Sequence, residues 1–282
     1  MTATEQETPM TMPAPEVTLT IADGVAEIAL AAPERLNALG PDTLRQLSAA
    51  YTAAEEAGVR ALVLRGEGRA FCAGRDISGV DPREDDVLGY LEGLVQPLLE
   101  QMSAFPAPTF AVAHGACLGV GLGLLIASDV VYVADGAKIG SPFAKLGATL
   151  DSGGHALFVE RLGAHRTLDL IITGRLMSGA EAVAGGLFSQ AFPDAEVLDR
   201  TRAAAREAAS GATEAFRASK QLVRQLRDER VGLWASMSAE NRAQAALCDT
   251  DDYREGFAAF QEKRPPVFSG APAGSEPAGA GA

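Results

Sequence analysis

Two periods of apolar and polar residues alternate along the first half of the chain. Residues 17–21 and 25–30 are short apolar runs flanking Ala22-Asp23-Gly24, which reads as a β-hairpin. After Pro41 the period lengthens, and Leu44, Leu47 and Tyr51 recur at helical spacing across 42–57. Residues 60–65 (RALVLR) form a strand pattern that ends at Gly66. The pattern then predicts a helix over 85–104 that stops ahead of Pro106, a strand over 109–113, an apolar helix over 120–127 and a strand over 129–133. Strands alternating with helices predict an α/β fold with parallel pairing. Beyond about residue 153 helical patterns dominate, over 153–161, 164–173, 179–185, 195–209, 212–227 and 232–262.

The ends read differently. Residues 1–15 are acidic and rich in Pro and Thr, the pattern of a disordered arm. Residues 265–282 are a Pro/Gly/Ala tail with too little apolar content to pack. Between them we expect an α/β core over 16–200 and a helical region over 201–264.

Composition narrows the possibilities. The 282 residues are 47% hydrophobic and 22% charged, an ordinary globular balance. A chain of this length buries about three-quarters of its unfolded surface and needs no covalent staple. The net charge of −13 argues against general affinity for nucleic acid or an anionic membrane. The N-terminus lacks a basic region followed by an apolar one, and no apolar run approaches a membrane span, so we expect a cytoplasmic protein. Cys72, Cys117 and Cys248 have no metal-ligand spacing and read as reduced thiols. His114, His155 and His165 form no HxxxH or HExxH pattern, so no metal site is expected.

The candidate chemistry lies in two glycine-bearing loops, each at the end of a strand. One is Arg69-Ala-Phe-Cys-Ala-Gly-Arg-Asp-Ile77; the other is His114-Gly-Ala-Cys-Leu-Gly-Val-Gly-Leu-Gly-Leu124. Glycine there lets a ligand approach main-chain N–H groups. Neither loop completes a dinucleotide fingerprint, since Leu124 and Phe71 stand where a third glycine is required. Walker A and Gly-x-Ser-x-Gly patterns are absent as well. Two readings remain open: backbone donors converging on one acceptor, or glycines that only allow close helix packing.

Phe71-Cys-Ala-Gly-Arg-Asp-Ile77, 114–123 and Ala127-Ser-Asp129 together resemble the crotonase (enoyl-CoA hydratase/isomerase) superfamily. So do Asn37-Ala-Leu39 after Pro33-Glu-Arg35, and Thr173-Gly174 before Ala180. The resemblance covers about residues 16 to 264. It implies a crotonase fold, with repeated ββα units in a spiral core followed by a helical C-terminal trimerisation region. It also implies an acyl-CoA substrate that carries its own coenzyme A, with no further cofactor, and a homotrimer or hexamer.

In that family backbone N–H groups of the two loops form an oxyanion hole. By position the donors would be Arg75 and Val120, with Ala73, Gly74, Asp76, Gly119, Phe143 and Leu146 around the substrate. Arg35, Phe260 and Lys263 match positions that contact the nucleotide, although the last two also fit an ordinary terminal helix. The family's hydratases use two glutamates, and here Gly123 and Phe143 stand in their places. Asp151, in Asp-Ser-Gly-Gly154, resembles the aspartate of the phenylacetate-pathway ring-epoxide and dienoyl-CoA isomerase branches. By spacing alone Asp151 reads as an N-cap for the following helix. The resemblance implies instead a base for a double-bond shift, in a setting of Leu146, Leu150 and Phe143 that raises its pKa. A hydratase, an aromatic acyl-CoA dehalogenase-like enzyme and a non-catalytic acyl-CoA binder are the alternatives.

Overall fold

A computed structural model describes residues 16–81 and 83–271. Strands β1 (Val17–Ala22) and β2 (Val25–Leu30) pair antiparallel across Asp23 and Gly24, both at positive φ (51° and 73°). That is the backbone twist a two-residue hairpin turn requires. Helix α1 (Pro41–Glu56) leads to β3 (Ala61–Gly66), whose Ala61, Leu62, Val63 and Leu64 are all buried. A strand apolar on both faces needs cover on both. Then follow α2 (Val87–Tyr90), a π-helical stretch at Leu91–Val95, and α3 (Gln96–Ala104).

The next units repeat a strand–strand–helix pattern. Strand β4 (Thr109–Ala113) joins the large sheet, β5 (Ala116–Leu118) leaves it, and α4 (Val120–Ile126) follows. Likewise β6 (Val130–Ala134) joins, β7 (Lys138–Gly140) leaves, and a 3-10 turn at Phe143–Leu146 leads into α5 (Gly154–Thr173). The remainder is β8 (Met177–Ser178), α6 (Gly179–Ala184), β9 (Gln190–Phe192), α7 (Val197–Ala209), α8 (Thr213–Glu229), α9 (Leu233–Leu247) and α10 (Asp251–Glu262). The large sheet runs β1-β2-β3-β4-β6-β9, parallel from β2 onward, and β5-β7-β8 form a small second sheet. This is the α/β architecture of repeated ββα units with C-terminal helices expected above.

Four details differ from the sequence pattern. The helix expected over 85–104 is broken by the π-helical stretch just before Pro97, which has no N–H to donate to the preceding turn. The helix expected over 232–262 is two helices, because the Thr250 hydroxyl accepts from the Tyr253 N–H (3.2 Å) and starts α10. The boundary placed at residue 200 falls inside α7, which packs on β3, β4 and β6 with Thr201, Ala205 and Ala209 buried. The core therefore continues through 209. Residues 265–271, expected to begin an unpacked tail, are anchored. Asp252 accepts from the N–H groups of Ser269 (2.7 Å) and Gly270 (2.9 Å), and Arg60 donates to the Phe268 carbonyl (3.1 Å). The arm at 1–15 and the tail at 272–282 lie outside the described residues.

Candidate active site

The first glycine loop is held from below by Asn37, a buried residue at positive φ (55°). Its Oδ1 accepts from the Ala32 N–H (3.0 Å). Its Nδ2 donates to the carbonyls of Glu67 (3.0 Å), Ala70 (2.8 Å) and Phe71 (3.1 Å). The loop is then stitched to β5. The Cys72 N–H donates to Ala116 (2.9 Å), and the Leu118 N–H donates to Cys72 (3.0 Å). These bonds bring the two glycine loops edge to edge.

The glycines at the contact leave no room for side chains. Gly74 has φ 96°, and a Cβ there would lie 2.9 Å from the Leu118 carbonyl oxygen. Gly119 has φ 52°, and its Cβ would lie 2.9 Å from the Phe143 ring and 3.9 Å from the Gly74 Cα. The Gly74 N–H is taken by the Cys72 Sγ (3.3 Å), its carbonyl by the Leu39 N–H (2.8 Å), and the Asp76 N–H by the Leu39 carbonyl (3.0 Å). Among the described residues no hydrogen bond takes up the N–H of Arg75 or of Val120, the first residue of α4. The two expected donors thus stand on adjoining loops, available to an acceptor.

Asp151 is partly buried just ahead of α5. It is not the cap of that helix: Gly153 occupies the cap position and α5 has no side-chain cap. The Asp151 Oδ1 instead accepts from the Ser152 hydroxyl (2.9 Å). Burial pushes its pKa above the usual carboxylate value, while Ser152, Arg75 and His155 act in the opposite direction. Leu150 is buried beside it, whereas Leu146, on a 3-10 turn that ends in a left-handed Gly147, is 63% exposed.

Neither position matched to a hydratase glutamate carries a carboxylate, and both are crowded. A Cβ on Gly123 would lie 2.6 Å from the Ser152 Cβ and 3.3 Å from the Leu99 Cδ1. At the other position the Phe143 ring lies against Gly119. A cavity of about 1350 Å³ is lined by Gly123, Ser152 and Gly153 together with Leu99, Ile126 and Leu157.

The residues expected at the nucleotide are less uniform. Arg35 donates to Asp76 (2.8 Å) and pairs with Glu16 and Glu34, so three carboxylates already share its charge. Phe260 is 85% exposed on α10 and lines a separate cavity of about 370 Å³ with Tyr253, Phe257 and Phe268. Lys263 ends that helix in a left-handed conformation. Within one chain, Phe260's cavity shares no lining residue with the cavity at Gly123.

Sequence reasoning missed three residues at the site. Asp85 binds both terminal nitrogens of Arg75 (2.9 and 2.5 Å). The Tyr90 ring lies under the same guanidinium, 4.3 Å from centroid to Cζ. Ser152 is the direct partner of Asp151. No pattern in the sequence links residues 85 and 90 to residue 75.

Comparison with known proteins gives a consistent result. A family profile described as enoyl-CoA hydratase/isomerase matches residues 20–271. A Rhodobacter capsulatus protein named probable enoyl-CoA hydratase is 35% identical over 251 residues, covering 89% of this chain and 96% of its own. The 1,2-epoxyphenylacetyl-CoA isomerase of Escherichia coli is 32% identical over 252 residues, covering 88% and 95%. The crystal structure of an enoyl-CoA hydratase from Bacillus anthracis superposes with a TM-score of 0.82 at 28% identity, covering 91% of this chain and all (100%) of that one. Among the described residues no helix is long and apolar enough to cross a membrane.

Proposed function

Because the chain belongs to the enoyl-CoA hydratase/isomerase family, we propose that it shifts a carbon–carbon double bond within an acyl-CoA, with Asp151 as its single base. The observation that carries this reading is the pairing of one desolvated carboxylate with two lost ones. Asp151 is the partly buried acid beside the loops, while Gly123 and Phe143 offer none. Hydration needs one group to activate water and another to protonate carbon. A double-bond shift needs a single base that takes a proton from one carbon and returns it to another. No redox change occurs, so no cofactor beyond the carrier thioester is required.

Each residue then has a task. The thioester oxygen accepts from the N–H groups of Arg75 and Val120 and becomes an enolate as the proton leaves. A donor of this kind is worth about 3–4 kcal/mol of barrier. Ala73, Gly74, Asp76 and Gly119 shape the loops around the thioester, and Phe143 packs against them. We assign the acyl group to the Gly123 cavity, which borders Ser152 and presents the apolar side chains of Leu99, Ile126 and Leu157 at that end. Arg35 serves the nucleotide in this reading, and Phe260 and Lys263 serve it from a neighbouring copy. Self-association into a trimer or hexamer is supported by the exposed Leu168 and Ile172 on α5 and Trp234 on α9.

The names of several relatives favour hydration as a second reading. Asp151→Asn separates the two. With 3-hexenoyl-CoA, followed by absorbance of the conjugated product, the variant should lose about 10²- to 10⁴-fold in kcat. Isomerisation at full rate in Asp151→Asn would refute the single-base reading, and hydration of 2-hexenoyl-CoA by the unaltered enzyme would favour the second. The same variant should melt higher near neutral pH. A carboxylate whose folded pKa is raised above its unfolded value destabilises the fold at pH above both, and no penalty remains below the unfolded pKa. The gain should therefore vanish in acid.

A further inference from the structure

Arg75 enters the proposed reaction only through its backbone N–H, yet its side chain is more firmly held than that role requires. Both terminal nitrogens bind the Asp85 carboxylate, in a pair whose side chains are only 21% and 16% exposed. One face of the guanidinium lies on the Tyr90 ring. Tyr90 is buried at the end of α2, and its hydroxyl donates to the Leu39 carbonyl (3.0 Å). That same carbonyl accepts from the Asp76 N–H (3.0 Å), and the Leu39 N–H donates to Gly74 (2.8 Å). The side chain of residue 75 and the backbone on either side of it thus converge on Leu39 by two routes.

We propose that the Arg75 side chain is a positioning residue: clasped by Asp85 and stacked on Tyr90, it fixes the first oxyanion loop against α2, and it shares its charge with Asp85 before that charge acts on the base. This rests on Asp151 being that base. Arg75 from the loop and His155 from the first turn of α5 hold the Asp151 pKa down, the Asp151 charge pushes the pKa of Tyr90 on α2 up, and Asp85 is paired to Arg75. Both Arg75 and Tyr90 feel the Asp151 charge.

The clasp resolves a conflict between two needs. A loop donor must not move as negative charge develops on the oxygen, and an arginine fork is a stiff anchor. An unshared Arg75 charge would, however, lower the Asp151 pKa further and make that carboxylate a weaker base toward carbon. Asp85 provides the anchor point and shares the charge in one contact. Lysine could supply the charge but not the two-pronged grip.

The test uses two variants expected to move in opposite directions. In Arg75→Ala the cation is lost, so the acid limb of the kcat profile should move to higher pH. In Asp85→Asn the cation loses its partner and acts more strongly on Asp151, so the limb should move to lower pH. Both should lose roughly ten- to a hundredfold in kcat as the loop loosens. Arg75→Lys should keep the limb near its original pH while still losing rate. Profiles are measured on the full-length protein with 3-hexenoyl-CoA. Limbs that stay in place, or move in the same direction, overturn the proposal and leave a merely structural ion pair. If Arg75→Ala does not fold, the near-isosteric Asp85→Asn carries the test alone, and an unmoved limb or a shift upward refutes it. A fully active Asp151→Asn would remove the base itself and refute both readings; an inactive Asp151→Asn with unmoved limbs refutes only this one.

Discussion

Gly123→Ala probes the site with one methyl group. Residue 123 is interior to α4, where alanine is ordinarily favoured over glycine by about 1 kcal/mol. Against this stands the crowding: the added carbon would lie 2.6 Å from the Ser152 Cβ and 3.1 Å from the Ser152 carbonyl oxygen. Neither atom can rotate out of the way, so the segment carrying Asp151 and Ser152 must shift as a unit. Overpacking of this kind costs about 1–3 kcal/mol. The net loss of stability should therefore be only about 0–2 kcal/mol, a drop in melting temperature of at most roughly 8 °C for a chain of this size. Activity should suffer far more, because displacing a base by even ~1 Å costs about a hundredfold. The assays are thermal unfolding by circular dichroism and 3-hexenoyl-CoA turnover on the same sample. An unchanged kcat would refute the argument, since residue 123 would then not bear on the Asp151 segment. So would a loss of activity fully explained by unfolding.

Two further outcomes follow from the charge arrangement and the surface. Glu27 on β2 is held by Arg65 (2.6 Å) and by two nitrogens of Arg202 (both 2.7 Å), which lower its pKa from 4.5 to about 2. Its contribution is full above pH 4.5 and is lost as pH falls through about 2, so Glu27→Gln should cost about 2–3 kcal/mol at neutral pH and leave a flatter acid-unfolding curve, measured by urea titration across pH. Trp234→Glu, on a side chain 76% exposed, should lower the sedimentation coefficient if α9 lies at a subunit contact, and an unchanged value would remove α9 from the interface.

How far the fold was legible depended on element length. β1 to β4, β6 and the long helices each carry enough periods for their pattern to show. β5, β7, β8 and β9 are two or three residues each, too short to hold a period, and their sheet partners come from distant segments. The site divides in the same way. Gly74, Gly119, Gly123 and Asp151 stand out in the sequence because glycine and lone carboxylates are distinctive within a motif. The Arg75–Asp85–Tyr90 cluster does not, since it forms only when α2 folds back over the first loop. Leu146 stands exposed because apolarity predicts burial only on average.

Asn37 marks a narrow place in the space of workable sequences. One amide serves four main-chain groups, its oxygen accepting from one N–H and its two hydrogens shared among three carbonyls. Aspartate would face three carbonyls with no hydrogen to offer, and serine is too short to reach them. Glutamine adds a methylene where the backbone is already in the left-handed region, which asparagine tolerates better than most residues. The foot of the loop proposed to supply the first oxyanion donor is therefore fixed by a single side chain. Diversification of this scaffold toward other acyl groups would best leave residue 37 alone and work on the walls of the Gly123 cavity.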